Sequence, residues 1–254
     1  MWFDTHTHLS DQAFDEDREQ LIADLPKEQV FYVLDVGTNW EDSAKAIANA
    51  KSHSAVYAAV GIHPDFIGQL QDHDLERLHE LALSDKKVVA IGEIGLDYHY
   101  DVDPRDDQQK RMIEMMELAK ELDKPVILHD REAHADTLKL IREHSGEAKG
   151  VLHSFSGSYE MAMEAIRLGY YISISGVITF KNEKKLKEMA PKLPQNRLLV
   201  ETDSPCLAPV PFRGKRNQPA YVKYPGEKLA DVLGIPAEEC ARITTENARR
   251  LFGV

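Results

Sequence analysis

Seven residues of the sequence pair a metal-binding side chain with a position at or near the end of a short apolar run. They are His6, His8, His63, Glu93, His129, His153 and Asp203. Imidazole and carboxylate groups without thiolate are typical ligands of Zn, Mn, Fe or Co, whereas Mg favours carboxylates and water. A single histidine at a strand end usually serves as a structural hydrogen-bonding group. The shared placement of all seven residues instead indicates a metal site.

The pair His6 and His8 stands in the stretch FDTHTHLS, almost at the start of the chain. Side chains at positions i and i+2 of a strand point to the same side. This spacing therefore predicts that both rings enter one site, with later strands supplying the other ligands.

The apolar runs that carry these residues alternate with longer amphipathic stretches. The runs begin at Met1, Phe31, Val56, Val88, Pro125, Gly150, Tyr170 and Leu198. Most are nearly continuous in apolar residues, which is typical of strands buried on both faces. Between two of them, residues 103–124 place Met112, Met115 and Leu118 at helical spacing, which predicts core packing. Eight strands, each followed by a helix, in 254 residues predict an α/β fold, a (β/α)8 TIM barrel forming a single domain over residues 1–254. A doubly wound open sheet is the alternative.

In such a barrel the carboxyl ends of all strands meet on one face, so the seven residues are expected to lie together. Even six of these residues would exceed what one catalytic ion with an open position requires, which predicts two divalent ions about 3.5–4 Å apart. Glu93 lies near the middle of the set and is the expected bridging carboxylate. Glu201 shares a strand face with Asp203, so it is expected either to orient a ligand or to form an ion pair inside the barrel.

Basic residues near the predicted metal site indicate the substrate. Arg213, Lys215 and Arg216 cluster in the stretch APVPFRGKRNQP, and Arg131 follows His129. The arginine fork suits phosphate, so phosphate esters, including nucleic-acid ends, fit better than neutral amides. A solvated surface patch is the alternative for the cluster. The stretch SFSGS can present backbone N–H groups to an anion, or it begins a helix with Ser156 or Ser158 as the capping residue.

Composition limits the other classes of function. The net charge of −12 argues against a protein that coats nucleic acid or anionic membrane, although it allows a local basic patch. Two cysteines, Cys206 and Cys240, make a disulfide framework unexpected and favour a reducing compartment. There is no apolar run of about 20 residues and no secretory signal pattern at Met1. We therefore expect a cytoplasmic protein without membrane contact, and a monomer.

The motifs together identify a resemblance. FDTHTHL, VGIHP, IGEIGLDYHY, PVILHDREA, HSFSGS, ETDSPCLAPVPFRGKRNQPAYV and TTENARRLF occur in this order along the whole chain. This series resembles the TatD family of metal-dependent deoxyribonucleases, a branch of the amidohydrolase-like TIM-barrel metalloenzymes. The resemblance implies a cytoplasmic phosphodiester hydrolase, typically a 3′–5′ exonuclease that acts on DNA with divalent metal (Mg, Mn or Zn).

The resemblance also implies roles for individual residues. One metal ion would be held by His6, His8, Glu93 and Asp203, and the second by Glu93, His129 and His153. Asp203 would accept the proton of the attacking water, so that Asp203 and Glu93 are the expected catalytic residues. His63 would lie near the substrate phosphate, together with the loop of Arg213, Lys215 and Arg216.

Two positions depart from the family pattern. Cys206 stands where an aromatic residue is expected, and His99 stands where tyrosine is more usual. Platforms for base stacking are expected, if anywhere, at Tyr98, Tyr100, Phe155 or Phe212, with core packing as the alternative. The remaining histidines in helices or loops are interpreted as surface residues: His53, His73, His79 and His144. His99 and His134 follow strands of the site, so they either reach the site or, as the preferred interpretation, lie on the surface.

Two other functions remain compatible with the sequence. One is an amidohydrolase-type enzyme that cleaves small esters or C–N bonds. The other is a metal-dependent scaffold in a repair or quality-control complex, which would not require an open metal site.

Overall fold

A computed structural model describes residues 1–71, 74–100, 102–144, 146 and 149–254. Eight parallel strands form one sheet in the order of the sequence. They are β1 (Trp2–Thr7), β2 (Val30–Val36), β3 (Val56–Val60), β4 (Val88–Asp97), β5 (Val126–Arg131), β6 (Gly150–Leu152), β7 (Tyr171–Ile174) and β8 (Leu198–Val200). Each strand falls within or next to one of the apolar runs seen in the sequence.

Helices connect successive strands and surround the sheet. They are α1 (Arg18–Asp24), α2 (Trp40–Ser52), α3 (Asp74–Leu83), α4 (Arg105–Glu121), α5 (His134–His144), α6 (Tyr159–Arg167), α7 (Lys185–Met189), α8 (Lys223–Leu233) and α9 (Ala237–Phe252). Short 3-10 helices lie at Gln12–Phe14, Leu25–Glu28, Pro64–Gln69, Gly176–Thr179, Ala190–Lys192, Gln195–Arg197 and Pro219–Val222. Met112 and Met115 of α4 are buried, as their spacing predicts.

The first and last strands come together and close the sheet into a (β/α)8 TIM barrel. Thr7 and Ser204 form a parallel bridge, and the backbone N–H of His8 donates to the carbonyl of Ser204 at 2.8 Å. Deeper in this seam, the buried carboxylate of Asp4 accepts from the backbone N–H and the hydroxyl of Thr202, at 2.8 and 2.6 Å. The predicted barrel is confirmed, and the open-sheet alternative is wrong.

The barrel interior changes from apolar to polar along each strand. Ile127, Val151 and Leu199 belong to an apolar cluster inside the barrel. Two residues further along, on the same side of each strand, stand His129, His153 and Glu201. The apolar half therefore forms a packed floor, and the carboxyl ends of the strands hold the ionisable groups.

The opposite end of the barrel is closed by the end of the chain. Phe252 of α9 lies 6.2 Å from the ring of Phe3, which also contacts Tyr32 and Tyr57. Leu251 and Val254 pack against the same cluster. Across the described ranges, no helix has the length and apolar character needed to cross a membrane.

Candidate metal centre and substrate cleft

The barrel brings the predicted ligands together at the carboxyl ends of their strands. His6, Glu93 and His129 lie within strands β1, β4 and β5. The others follow strand ends: His8 after β1, His63 after β3, His153 after β6 and Asp203 after β8. All seven come close to Glu93, either directly or through a neighbouring imidazole.

Glu93 lies at the centre, and its two carboxylate oxygens face different groups. Oε2 lies 3.2 Å from Nε2 of His6 and 3.6 Å from Nε2 of His8. Oε1 lies 2.8 Å from Nδ1 of His129 and 2.9 Å from Nε2 of His153. The side chain is almost fully buried. One carboxylate thus contacts two sets of imidazoles, one through each oxygen.

The first set contains His6, His8 and Asp203. The Nε2 atoms of the two histidines are 3.2 Å apart, and Oδ1 of Asp203 lies 3.3 Å from Nε2 of His8. Nδ1 of His8 is 2.8 Å from the carbonyl oxygen of Val36. Because a carbonyl only accepts, Nδ1 carries the hydrogen, and the neutral ring presents the lone pair of Nε2 to the set.

The second set contains His129 and His153, whose Nδ1 and Nε2 atoms are 3.2 Å apart. Nε2 of His129 lies 3.0 Å from Oδ2 of Asp97. Nδ1 of His153 lies 3.3 Å from Oε1 of Glu201, which also accepts from the backbone N–H of Ser154 at 2.6 Å. A carboxylate therefore stands behind each ring and holds the nitrogen that faces away from Glu93.

Both sets fit divalent metal ions. Lone pairs of neutral imidazoles and carboxylate oxygens converge at distances of 2.8 to 3.7 Å, where they repel one another unless a positive charge lies between them. The electrostatics agree: burial opposes ionisation of Glu93, yet the surrounding imidazoles, first that of His153, hold its pKa well below the ordinary value. The groups whose ligand atoms lie within 4.8 Å of one another are His6/His8/Asp203, His6/Glu93/His153 and His63/Glu93/His129.

His63 is held differently from the other histidines. Its Nδ1 accepts a hydrogen bond from the backbone N–H of Asp65 at 3.2 Å, so the hydrogen of the neutral ring lies on Nε2. Nε2 is 3.6 Å from Oε1 of Glu93. Burial, with a further contribution from the imidazoles of His129 and His153, lowers the pKa of His63 to about 3. His63 therefore presents a neutral N–H donor to the site.

Asp203 connects the metal centre to the open cleft. Its backbone adopts a left-handed conformation with φ of 58°, which aspartate and asparagine tolerate better than most residues. Its N–H donates to the carbonyl of His6 at 2.9 Å. Burial disfavours the charged carboxylate, but the hydrogen bond with His8 and the charges of His153 and His6 lower its pKa. Asp203 is therefore an ionised acceptor at the cleft wall.

Two adjoining cavities lie above these residues and share the walls His129, His153 and Asp203. The smaller, of about 220 Å³, reaches His63 and Asp65. The larger, of about 500 Å³, has a wall that combines cationic with apolar side chains. This wall contains Arg131, Lys185, Phe155, Val177, Leu186 and Met189.

Of the four basic residues predicted to bind phosphate, Arg131 lines the larger cavity. Its guanidinium is exposed and lies 4.6 Å from the centroid of the Tyr100 ring, which is 60% exposed. This pair forms a cationic and aromatic surface at the edge of the cleft.

The other three basic residues lie on the exposed loop after β8 and do not line either cavity. Arg213 stacks 3.9 Å from the ring centroid of Phe180, and Lys215 is exposed. Arg216 forms a bidentate ion pair with Asp17, at 2.9 and 2.5 Å, which joins this loop to the segment before α1. A phosphate contact by these three residues stays a prediction.

Most of the aromatic candidates are packed. Phe155 and Tyr98 are buried, and the hydroxyl of Tyr98 donates to Asp136 at 2.8 Å. Phe212 stacks on Tyr221 with ring centroids 4.1 Å apart. Tyr100, described above, is the exposed member of the four.

The remaining sequence predictions concern residues around the site. Ser158, not Ser156, caps α6 by accepting from the N–H of Met161 at 3.2 Å. Cys206 is exposed and lines the larger cavity, whereas Cys240 is buried.

The surface histidines have their own partners or partial exposure. His99 lies 2.8 Å from Glu132, and His134 lies 2.8 Å from Asp130, so each ring has a carboxylate partner other than Glu93. His53, His79 and His144 are partly exposed. His73 lies outside the described residues.

Two residues of the site were not identified from the sequence. Asp97, which holds His129, stands four residues after Glu93 in β4 and on the same face, so strand alternation was an available signal. Lys185 enters the cleft from α7 and donates to the carbonyl of Ser156 at 2.7 Å. No local pattern distinguishes it from other surface lysines.

Comparisons with known proteins agree with this geometry. Residues 3–253 match the family described as "TatD related DNase". The "Uncharacterized metal-dependent hydrolase YabD" of Bacillus subtilis (strain 168) is 43% identical over 255 residues, covering 100% of both chains. The "Uncharacterized metal-dependent hydrolase YcfH" of Escherichia coli (strain K12) is 40% identical, covering 99% of this chain and 95% of its own.

A solved structure extends the comparison to three dimensions. The crystal structure of YjjV, a TatD homologue from Escherichia coli K12, superposes with a TM-score of 0.94 at 34% identity, covering 100% of this chain and 98% of YjjV. The barrel fold and the sequence similarity both extend over the whole length of the chain, and the barrel carries the cluster of imidazole and carboxylate side chains described above. The chain therefore belongs to the TatD-related family of metal-dependent hydrolases.

Proposed function

We propose that the protein is a deoxyribonuclease that removes nucleotides from the 3′ end of DNA with two divalent ions, Mg, Mn or Zn. It would act in the cytoplasm, as a monomer. The observation that supports this most directly is the position of Glu93, whose two oxygens face two sets of imidazoles. The family description, which names a DNase, supports the substrate class.

Two ions in this centre would lower the pKa of water and stabilise both the attacking and the leaving oxygen of a phosphodiester. His6, His8, Glu93 and Asp203 would hold one ion, and Glu93, His129 and His153 the other. Asp97 and Glu201 fix the orientation of His129 and His153. The donor atoms are therefore in place before substrate binds.

Asp203 is the proton acceptor in this proposal. Its carboxylate is ionised and borders both cavities, so a water in the cleft can reach it. Nε2 of His8 lies 3.3 Å from Oδ1 of Asp203, so both atoms would face the same ion. The attacking water gives a proton to a carboxylate oxygen of Asp203 as its oxygen bonds to phosphorus. On the opposite side the bond from phosphorus to the 3′ oxygen of the preceding nucleotide breaks, and that oxygen takes up a proton from Asp203 or from solvent as the terminal 5′-nucleotide leaves.

His63 and Arg131 are the proposed contacts to the phosphate. The neutral Nε2–H of His63 can donate a hydrogen bond to a phosphate oxygen. Arg131 adds positive charge at the cleft edge. The 500 Å³ cavity, with Phe155 and Leu186 in its wall, accommodates one terminal nucleotide rather than a continuous duplex. These features favour attack at a strand end.

The test uses a 5′-labelled single-stranded oligonucleotide and metal-stripped protein restored with Mg, Mn or Zn. We expect products that shorten progressively from the 3′ end and only when metal is present. Asp203→Asn, purified identically, is the control against a contaminating nuclease, because asparagine tolerates the left-handed backbone at this position. It should lower the rate by about 10²–10⁴-fold.

Other outcomes would redirect the proposal. Metal binding without any oligonucleotide degradation would contradict the nuclease assignment, and turnover of a small ester or a cyclic amide in the same preparation would identify the alternative substrate class. Internal cuts in a circular strand would contradict the exonuclease mode alone.

A further inference from the structure

The cavity that the proposed activity does not use lies at the opposite end of the barrel. It has a volume of about 1220 Å³. Its walls are formed by the beginnings of β4 and β5, the end of α4 and the last residues of the chain, including Leu251 and Phe252. The metal ligands stand at the other ends of the same strands, so this cavity is separated from the centre by the apolar floor of the barrel.

The cavity is strongly basic in an acidic protein. Its described lining includes six cationic side chains, those of Lys86, Lys87, Lys120, Lys124, Lys149 and Arg250. The acidic side chain among the described lining residues is that of Asp123. The chain as a whole carries a net charge of −12, with 43 acidic residues available as partners. The charge of this wall is therefore opposite to that of the protein.

Within the described ranges, these cations mostly lack carboxylate partners. Lys120 lies 3.8 Å from Glu117, and no other ion pair involves the six. Arg250 instead donates to the side-chain oxygen of Asn247 at 3.3 Å. By contrast, cations elsewhere on the surface pair closely, such as Arg216 with Asp17. Among the described residues, most of the cations on this wall are therefore without a carboxylate in ion-pair contact.

Two of the lysines are partly buried and already oriented. Lys87 donates to the carbonyls of Ala50 and His53 at 2.6 and 2.5 Å, and Lys124 donates to the carbonyl of Val88. Burial lowers the pKa of both lysines, and for Lys87 it outweighs the opposing charge of Asp85. An anion in the cavity would supply that charge without requiring these side chains to become ordered.

The same wall offers apolar surface beside the cations. Tyr57, Leu122 and Phe252 line it, and the ammonium of Lys87 lies 5.4 Å from the Tyr57 ring centroid. The charges surround one concave space instead of following an extended track, which favours a compact ligand over a polymer. We infer that this cavity binds a nucleotide-sized anion that carries two or more phosphate groups.

The test compares two compounds that each carry two phosphate groups, adenosine 3′,5′-bisphosphate and fructose 1,6-bisphosphate. Their phosphates are separated, which limits metal chelation. Binding to the metal-loaded protein is measured by titration calorimetry at low and high salt. The cavity variant is Lys86→Glu/Lys149→Glu, because both side chains are exposed. The matched control is Lys110→Glu/Lys139→Glu, which makes the same charge change on exposed faces of α4 and α5 outside the cavity.

We expect at least one of the two bisphosphates to bind, with an affinity that falls as the salt concentration rises. The cavity variant should weaken this binding about tenfold or more. The control should change it by less than about twofold, as expected for distant exposed charges. Tighter binding of the adenosine compound would indicate that the ligand is a nucleotide. Equal binding of the two compounds would indicate that the cavity recognises a simple bisphosphate. If the cavity variant and the control variant weakened the binding equally, or if neither bisphosphate bound at about 5 mM, the inference would be overturned. Oligonucleotide hydrolysis should be unchanged in both variants, which separates this inference from the proposed function.

Discussion

The carboxylate of Asp97 lies 3.0 Å from Nε2 of His129, and this contact determines which nitrogen of the ring faces Glu93. Burial disfavours the charge of Asp97, but hydrogen bonds from His129 and from the backbone N–H of Tyr100 lower its pKa to about 2. An ionised carboxylate only accepts, so Nε2 of His129 carries the hydrogen and Nδ1 is left as a ligand.

Replacing Asp97 by asparagine should therefore weaken the second metal site. An amide can present N–H₂ to the ring and favour the wrong tautomer, so we expect metal affinity to fall about 10–100-fold, with activity partly restored at higher metal concentration. Competition with a chelator measures the affinity. The control is Asp130→Asn, since Asp130 also borders the larger cavity but pairs with His134, which is not one of the proposed ligands. Equal metal affinity in both variants would contradict the role of Asp97.

Replacing Glu93 by glutamine should change metal stoichiometry. The amide has one oxygen, whereas Oε1 and Oε2 of Glu93 face different imidazole sets. We expect the bound metal to fall from two ions to one or fewer per chain, measured by elemental analysis after desalting. Glu132→Gln, which changes the exposed carboxylate that pairs with His99, should retain two ions under the same conditions. Two tightly bound ions in Glu93→Gln would rule out the bridging assignment.

Arg216 should contribute to stability more than to substrate binding, because its guanidinium is engaged by Asp17. We expect Arg216→Ala to lower the free energy of unfolding by about 1 kcal/mol, with the loss shared by Asp17→Ala in a double-mutant cycle. Arg131→Ala should raise KM by about tenfold through loss of one phosphate contact, with stability nearly unchanged. A matching rise of KM in Arg216→Ala would place that guanidinium on the substrate.

Asp35 should make the protein less stable as the pH rises from about 4 to 6. Burial raises its pKa from 3.8 to about 6, against hydrogen bonds from Asn49 and the N–H of Ser10. In this window the folded state binds more protons than the unfolded state, so stability falls with rising pH, by about 3 kcal/mol at most. Urea unfolding of metal-free protein measures this, and Asp35→Asn should remove that part of the slope. Parallel curves for the two proteins would contradict the assignment.

The fold and the clustering of the candidate ligands were accessible from the sequence because both depend on local pattern. Apolar runs mark the strands, and the metal-capable residues follow the runs, so barrel topology alone brings His6 and Asp203 together. The pairing of Arg216 with Asp17 was not accessible, since it joins residues 199 positions apart without a sequence signal. The basic wall of the cavity at the opposite end of the barrel was equally hidden, because Lys86 and Lys149 come together only in the folded chain.

The two imidazole sets differ in the length of chain that must be folded before each is complete. Glu93, His129 and His153 all come from consecutive central strands, whereas the set of His6 and His8 requires Asp203 from the opposite end of the sequence. The proposed proton acceptor follows the last strand, where the seam of Asp4 and Thr202 closes the barrel. In the proposed mechanism, the centre can therefore hydrolyse a phosphodiester only when the two ends of the sequence have come together.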